Sequence, residues 1–275
     1  MVNWYLTLPA NQLLRPRVCA VSYLNTVPLV WGMLHGPQRD LFDLTFAVPS
    51  ACADQVAAGR AGIGIVPVVE LLRGPMRVLE GCGIACRGPV RSILLISTCH
   101  PRQIRTLAAD SGSRTSVMLA RIILAQRYGV EPRIIPMPPD RERMLAAADA
   151  ALIIGDPALR IDPETIEGYA LDLGEQWSDL TGLPMVFAVW AGAPEVARPE
   201  LEPAFLASCR YGLAHLEDII RTESPARGLP EPLVRRYLTQ HIVFELDDRS
   251  RRGMEEFLRL ARELDTVVDS GVAAL

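Results

Sequence analysis

Short apolar runs, each closed by a polar turn that opens a helix, recur through the first two-thirds of this chain and restrict it to an α/β fold. The first is the clearest. Residues 18–21 form an apolar strand, and Ser22, Tyr23, Leu24, Asn25 and Thr26 follow it directly. Pro28 then suits the first turn of a helix over 28–35, where its missing N–H costs nothing. Open α/β sheets present ligand-binding groups at the carboxyl ends of their strands, so Ser22 and Asn25 are candidates to face a ligand. The Asn25 amide can both donate and accept hydrogen bonds. The alternative is a turn in which Asn25 satisfies local backbone groups.

Further strands are expected over 44–48, 63–66 and 93–97. Between them come a helix over 51–58, a helical turn over 68–72, and two short extended runs, 78–80 and 82–86. A second unit repeats the plan: strand 104–108, helix 117–128, strand 133–137, helix 141–148 and strand 150–154. Alternation on this scale argues for parallel sheets. After an apolar strand over 185–191 the chain reads as almost wholly helical, over 203–217, 231–238 and 251–264. The middle unit therefore lies between strands 93–97 and 185–191, as an inserted lobe with two crossovers would. The expected organisation is one lobe from 18–95 plus 188–275, a second from 96–187, and a leader over 1–17. A ligand cleft would separate the lobes and close by a hinge motion.

Bulk properties exclude several classes. With 28 basic and 32 acidic residues the net charge is −4, and no basic run marks a nucleic-acid surface. The chain contains Arg but no Lys, which removes Schiff-base chemistry. No apolar stretch reaches the roughly 18 residues of a membrane span, and no secretory signal is visible, so a cytoplasmic location is expected. The six cysteines are scattered and expected to be free thiols; Cys82 and Cys86 have no second pair or nearby histidine. Neither a metal nor a cofactor is expected. Nucleophile-elbow, zinc-protease, dinucleotide and Walker motifs are absent.

Residues 110–116, DSGSRTS, precede a strong helix. Free N–H groups and the positive dipole end at a helix start make an anion site, to which Ser113, Thr115 and Ser116 can add hydroxyl donors. Ordinary N-capping by Ser113 or Thr115 is the alternative. Asp156 either caps a short helix begun by Pro157, positions a substrate hydroxyl or faces the hinge. Ser92, just before strand 93–97, either faces the cleft or is a satisfied strand hydroxyl, and Ser50 is a further, weaker candidate. Trp190 on the return strand is either hinge or cleft wall, or core.

Taken in order, VSYLNTVPL over 21–29, VPS over 48–50, GPVRS over 88–92, SRTS over 113–116, PPD over 138–140, IGDPA over 154–158, and the set Leu173, Gly174, Glu175, Trp177, Thr181 to Pro184 and Phe187 to Trp190 resemble the chorismate dehydratases of the futalosine route to menaquinone. The C-terminal helices carry no motif. The resemblance implies a two-lobed, periplasmic-binding-protein-like (type II) fold with two crossover strands, used here as an enzyme. It implies a hydro-lyase that removes water from chorismate, a small dicarboxylate, to give 3-[(1-carboxyvinyl)oxy]benzoate without a cofactor. The substrate's own enolpyruvyl carboxylate would serve as base. The family's functional Asn and Ser fall on Asn25 and Ser92. Substrate contacts would come from Ser22, Ser50, Ser113, Thr115, Ser116, Asp156 and Trp190. The sister enzyme, which makes 1,4-dihydroxy-6-naphthoate, opens with a Ser-Pro-x-x-Asn-Asp-type string and uses a histidine, whereas this chain has no histidine in that turn. A non-catalytic carboxylate-binding protein is the other alternative.

Overall fold

A computed structural model describes residues 15–110 and 112–272, with side chains to 265. Most of the expected leader, residues 1–14, lies outside the described residues. Its last residues do not: Arg17 begins the first strand.

The central apolar runs become strands covered on both faces, as sheets flanked by helices require, whereas the edge strands Asp43–Ala47 and Arg133–Met137 have no fully buried residue. One sheet has six strands in the order β11-β4-β10-β3-β1-β2. These are β1 Arg17–Val21, β2 Asp43–Ala47, β3 Ile63–Pro67, β4 Arg77–Cys86, β10 Met185–Gly192 and β11 Val243–Glu245. The other has five, in the order β7-β6-β8-β5-β9: β5 Ile93–Ser97, β6 Thr106–Asp110, β7 Arg133–Met137, β8 Ala150–Ile154 and β9 Tyr169–Asp172. Every residue of β3, β5, β8 and β10 is buried. Helices α1 (Val27–His35) and α2 (Pro49–Ala57) follow β1 and β2; α3 (Arg114–Ile123) follows β6. Then come α4 (Arg141–Ala147), α5 (Gly155–Leu159), α6 (Leu173–Thr181), α7 (Glu202–Ala214), α8 (Leu216–Arg227), α9 (Glu231–Arg236) and α10 (Asp248–Val272). No helix among the described residues is long and apolar enough to cross a membrane.

The sheets are mixed rather than parallel. Strands β1, β2 and β3 are mutually parallel, as are β6, β7 and β8. However, β10 runs antiparallel to β3 and β4, and β5 antiparallel to β8 and β9. The crossing chain imposes this. It leaves the first sheet at the end of β4, builds the second from β5 to β9, and returns through α6 into β10. Both β5 and β10 lie wholly within one sheet, so the crossings fall in residues 87–92 and in the turn before Met185.

Asp172 ties the two crossings together. Its carboxylate accepts the N–H groups of Val90 and Arg91 from the outgoing segment, at 2.9 and 2.6 Å. It also accepts those of Gly174 and Glu175 at the start of α6, at 2.9 and 3.2 Å. Arg91 adopts a left-handed backbone, φ 66°, and its guanidinium donates to the carbonyls of Ala158 and Ile161. Such a conformation is held by its surroundings.

Several elements differ from expectation. The runs 78–80 and 82–86 are one strand, β4, whose Gly81 and Gly83 sit at irregular pairing with β10 and β11. β6 starts two residues later than expected because the Asp149 carboxylate takes the N–H groups of Arg105 and Thr106. β9, α6, α8 and β11 were not expected at all.

Candidate functional site

A cleft opens between the carboxyl ends of strands from both sheets. Counting its open mouth, it holds about 520 Å³ of space. Its polar lining is Tyr23, Asn25, Ser92, Ser113, Thr115 and Ser116; Ile84, Val90, Ile154 and Phe187 supply apolar wall. Among the described residues, no carboxylate, imidazole or guanidinium lines the cleft. Among the described residues no three His, Cys, Asp or Glu side chains gather as metal ligands would.

Each polar group is delivered by a local feature of the chain. Asn25 sits in a 3₁₀ turn, Leu24–Thr26, wedged between the end of β1 and α1. Pro28 at the second position of α1 fits its first turn. Ser92, 1% exposed, stands at the crossing into β5, and its carbonyl accepts the Gly155 N–H at 2.8 Å. Ser113, Thr115 and Ser116 form the first turn of α3 and are all buried. Ser113 occupies the N-cap position, yet its side chain makes no capping bond here. Ser113, Thr115 and Ser116 line the cleft. A helix start of this kind attracts anions. The Thr115 hydroxyl accepts the Val69 N–H at 3.3 Å, which leaves its own proton for a ligand.

Tyr23 crosses the cleft. Its ring lies against Gly155, where an added Cβ would come within 2.7 Å of it; Gly155 also has φ 64°. Burial, with the Asp110 and Asp156 carboxylates nearby, pushes the Tyr23 phenol up to about 12, so it stays a neutral donor. Behind Ser92 stands Tyr237, 1% exposed, whose hydroxyl donates to Ser92 Oγ at 2.8 Å. Tyr237 opens a π-helical turn, Tyr237–His241, that continues α9. Burial raises its phenol as well, and the Ser92 and Asn25 side chains act against that rise.

Four other sequence candidates sit elsewhere. Asp156 lies beside the cleft rather than in its wall. It accepts the Leu24 N–H at 3.0 Å and pairs with Arg227 at the end of α8, so it joins the two halves. Ser22 has an exposed side chain; its carbonyl accepts from Arg227 at 3.0 Å. Ser50 is half-buried in the first turn of α2, and its N–H donates across the cleft mouth to the Gly112 carbonyl at 3.1 Å. Trp190 is fully buried and packs on Phe205 of α7, with ring centroids 4.8 Å apart; it is core, not cleft wall. The residues that sequence reading missed are Tyr23, Phe187, Arg227 and Tyr237. Phe187 could have been found from its place within the apolar return strand, three residues before Trp190. Tyr237 and Arg227 had no signal, since nothing local ties the C-terminal helices to the cleft.

Two strand-built lobes, two crossings and a cleft lined from both define a periplasmic-binding-protein-like fold. Solved structures agree. Protein AF1704 from Archaeoglobus fulgidus superposes with a TM-score of 0.72 at 16% identity, covering 91% of this chain and 97% of that one. The periplasmic aliphatic sulphonate binding protein SsuA from Escherichia coli gives 0.60 at 15% identity, covering 91% and 87%. Within that fold, the chain belongs to a menaquinone biosynthesis family, whose pattern matches residues 16–263. It is similar to the chorismate dehydratase of Thermus thermophilus, 28% identical over 89% of this chain and 94% of that protein. The chorismate dehydratase of Campylobacter jejuni is 22% identical over 89% and 97%.

Proposed function

We propose that this protein is a chorismate dehydratase, a hydro-lyase that converts chorismate to 3-[(1-carboxyvinyl)oxy]benzoate and water. The observation that carries this is the cleft itself: hydroxyls, one amide and a helix start, with no carboxylate, imidazole or guanidinium in its lining among the described residues. Such a wall can bind and orient a dicarboxylate but offers no side chain to take its proton. A substrate that brings its own base fits it. In chorismate the enolpyruvyl carboxylate can reach the hydrogen on the ring carbon that bears the ether. That hydrogen and the neighbouring hydroxyl leave as water, and the ring becomes aromatic. The large downhill gain relieves the enzyme of supplying a strong base, and holding the reactive conformer supplies much of the rate.

In this reading Asn25 orients the enolpyruvyl group and meets developing charge, as preorganised donors do. Ser92 donates to a carboxylate or to the departing hydroxyl. The start of α3, with Ser113, Thr115 and Ser116, holds a carboxylate without any lysine. The lobes that close on the substrate divide at residues 87–92 and just before Met185, a few residues from the boundaries expected at 95 and 187. The reaction takes place in the cytoplasm, with no added cofactor.

The test is incubation of purified, metal-stripped protein with chorismate, followed by chromatography and mass measurement. The expected result is loss of one water and appearance of the substituted benzoate, unaffected by chelator. Intact chorismate with measurable binding heat would instead make the protein a carboxylate binder.

A further inference from the structure

Tyr237 is not among the cleft-lining residues, yet among the described residues it is the side chain hydrogen-bonded to Ser92 Oγ. Both are 1% exposed, and the hydroxyl oxygens are 2.8 Å apart. A phenol is a stronger acid than an aliphatic alcohol and is the better donor of the two. The Tyr237 O–H therefore donates to Ser92 Oγ. The Ser92 proton then has no acceptor at hydrogen-bond distance within the protein among the described residues, and the cleft is the open direction. The same logic holds at Thr115, which accepts from a backbone N–H and faces the cleft.

We propose that Tyr237 is a positioning residue: by donating its only O–H hydrogen bond to Ser92 it makes Ser92 an obligate donor to the substrate. This assignment rests on the dehydratase reading. It requires that the substrate group opposite Ser92 be an acceptor, a carboxylate or the departing hydroxyl oxygen, and never an N–H or a bare hydrocarbon. Donors linked in series polarise one another, so the tyrosine strengthens the bond that Ser92 makes. The Asn25 side chain, like that of Ser92, acts against the rise that burial imposes on the same phenol. The C-terminal helices, which bear no recognisable motif, thereby supply one fixed point of the site.

Four proteins test this: wild type, Ser92→Ala, Tyr237→Phe and the double variant, each measured for kcat, KM and Tm with chorismate. The phenylalanine keeps the buried ring and removes only the hydroxyl. Tyr237→Phe is expected to lower kcat/KM about tenfold, the effect of one lost hydrogen bond in the transition state, mainly through kcat. On the Ser92→Ala background the same change is expected to have no further effect on kcat/KM. Ser92→Ala should lower Tm in the presence of Tyr237, whose hydroxyl it orphans, and have less effect on the Tyr237→Phe background. Wild-type kinetics in Tyr237→Phe, or equal losses on both backgrounds, would overturn the proposal. So would failure of Tyr237→Phe to fold, because the hydroxyl would then serve the fold rather than Ser92. Wild-type protein that leaves chorismate unchanged would sink the dehydratase reading itself, a separate result seen before any variant is compared.

Discussion

At the scale of single residues, the groups readable from sequence are those whose neighbours along the chain fix them. Asn25 and Ser92 follow or precede an apolar run directly, and Ser113, Thr115 and Ser116 open a strong helix, so local pattern places them at strand and helix ends. All five line the cleft. Tyr237 and Arg227 come to the site from far along the chain, through packing of helices that carry no local mark. Asp110 was read only as the start of a polar turn, and its burial makes it more interesting. It is 3% exposed; one carboxylate oxygen accepts the Gly112 N–H at 2.9 Å, and the other has no partner among the described residues. Burial raises its pKa. A carboxyl whose pKa is higher in the folded than in the unfolded state binds protons preferentially when folded. Stability is then greatest below the unfolded value, near 4, and falls as pH rises toward the folded value. At neutral pH Asp110 therefore opposes folding. Asp110→Asn is expected to raise Tm at pH 7 by roughly 2–4 °C, about 1 kcal/mol for a chain of this size. The gain should disappear near pH 3, and an unchanged Tm across the range would show the second oxygen to be satisfied.

At the scale of elements, strand–helix alternation was legible wherever a strand is buried on both faces. It failed where an element depends on a partner. β9 is an edge strand of four residues, paired only with β5, and Gly168 before it approaches the Ser97 carbonyl so closely that a Cβ would stand 2.5 Å away. β11 is three residues long and exists through β4. The start of α6 did carry a signal: Asp172 with Glu175 three residues on is the pattern of a capped helix. That cap also holds the outgoing crossing, since Asp172 receives the Val90 and Arg91 N–H groups. Asp172→Ala would orphan four backbone donors at once, and the left-handed Arg91 would lose its main restraint. A loss of about 2–4 kcal/mol is expected, more than a helix cap alone. Chemical denaturation should show it, together with faster proteolytic cleavage between residues 87 and 92. A loss under about 1 kcal/mol, the worth of a single ordinary hydrogen bond, would mean that the Arg91 guanidinium bonds hold the crossing without Asp172.

At the scale of the whole molecule, two lobes and two crossings follow from the order of elements. What the sequence could not state is how the halves are drawn together. Tyr23 lies against Gly155, Ser50 donates to Gly112, and Arg114 of α3 pairs with Asp54 at 2.7 Å and Glu70 at 3.2 Å. Asp156 pairs with Arg227, which also holds Glu223 at 2.7 Å and the Ser22 carbonyl at 3.0 Å. These contacts hold the halves together around the cleft, and the expectation is that they part to admit substrate to the α3 start. Closure must then be reversible, and each bridging contact contributes to the balance between closed and open forms. The Asp156–Arg227 pair is the most enclosed of them, with side-chain exposures of 12% and 18%. Arg227→Ala leaves Asp156 without its cation only when the halves are together, so it penalises the closed form selectively. A penalty of about 1.4 kcal/mol would raise KM for chorismate roughly tenfold, with a smaller fall in kcat, because closed enzyme–substrate complexes still react once formed. Small-angle scattering of the free protein should show a larger radius of gyration for Arg227→Ala than for wild type, and saturating chorismate should bring the two back together. Equal radii with unchanged KM would mean that the Arg114 ion pairs alone govern closure.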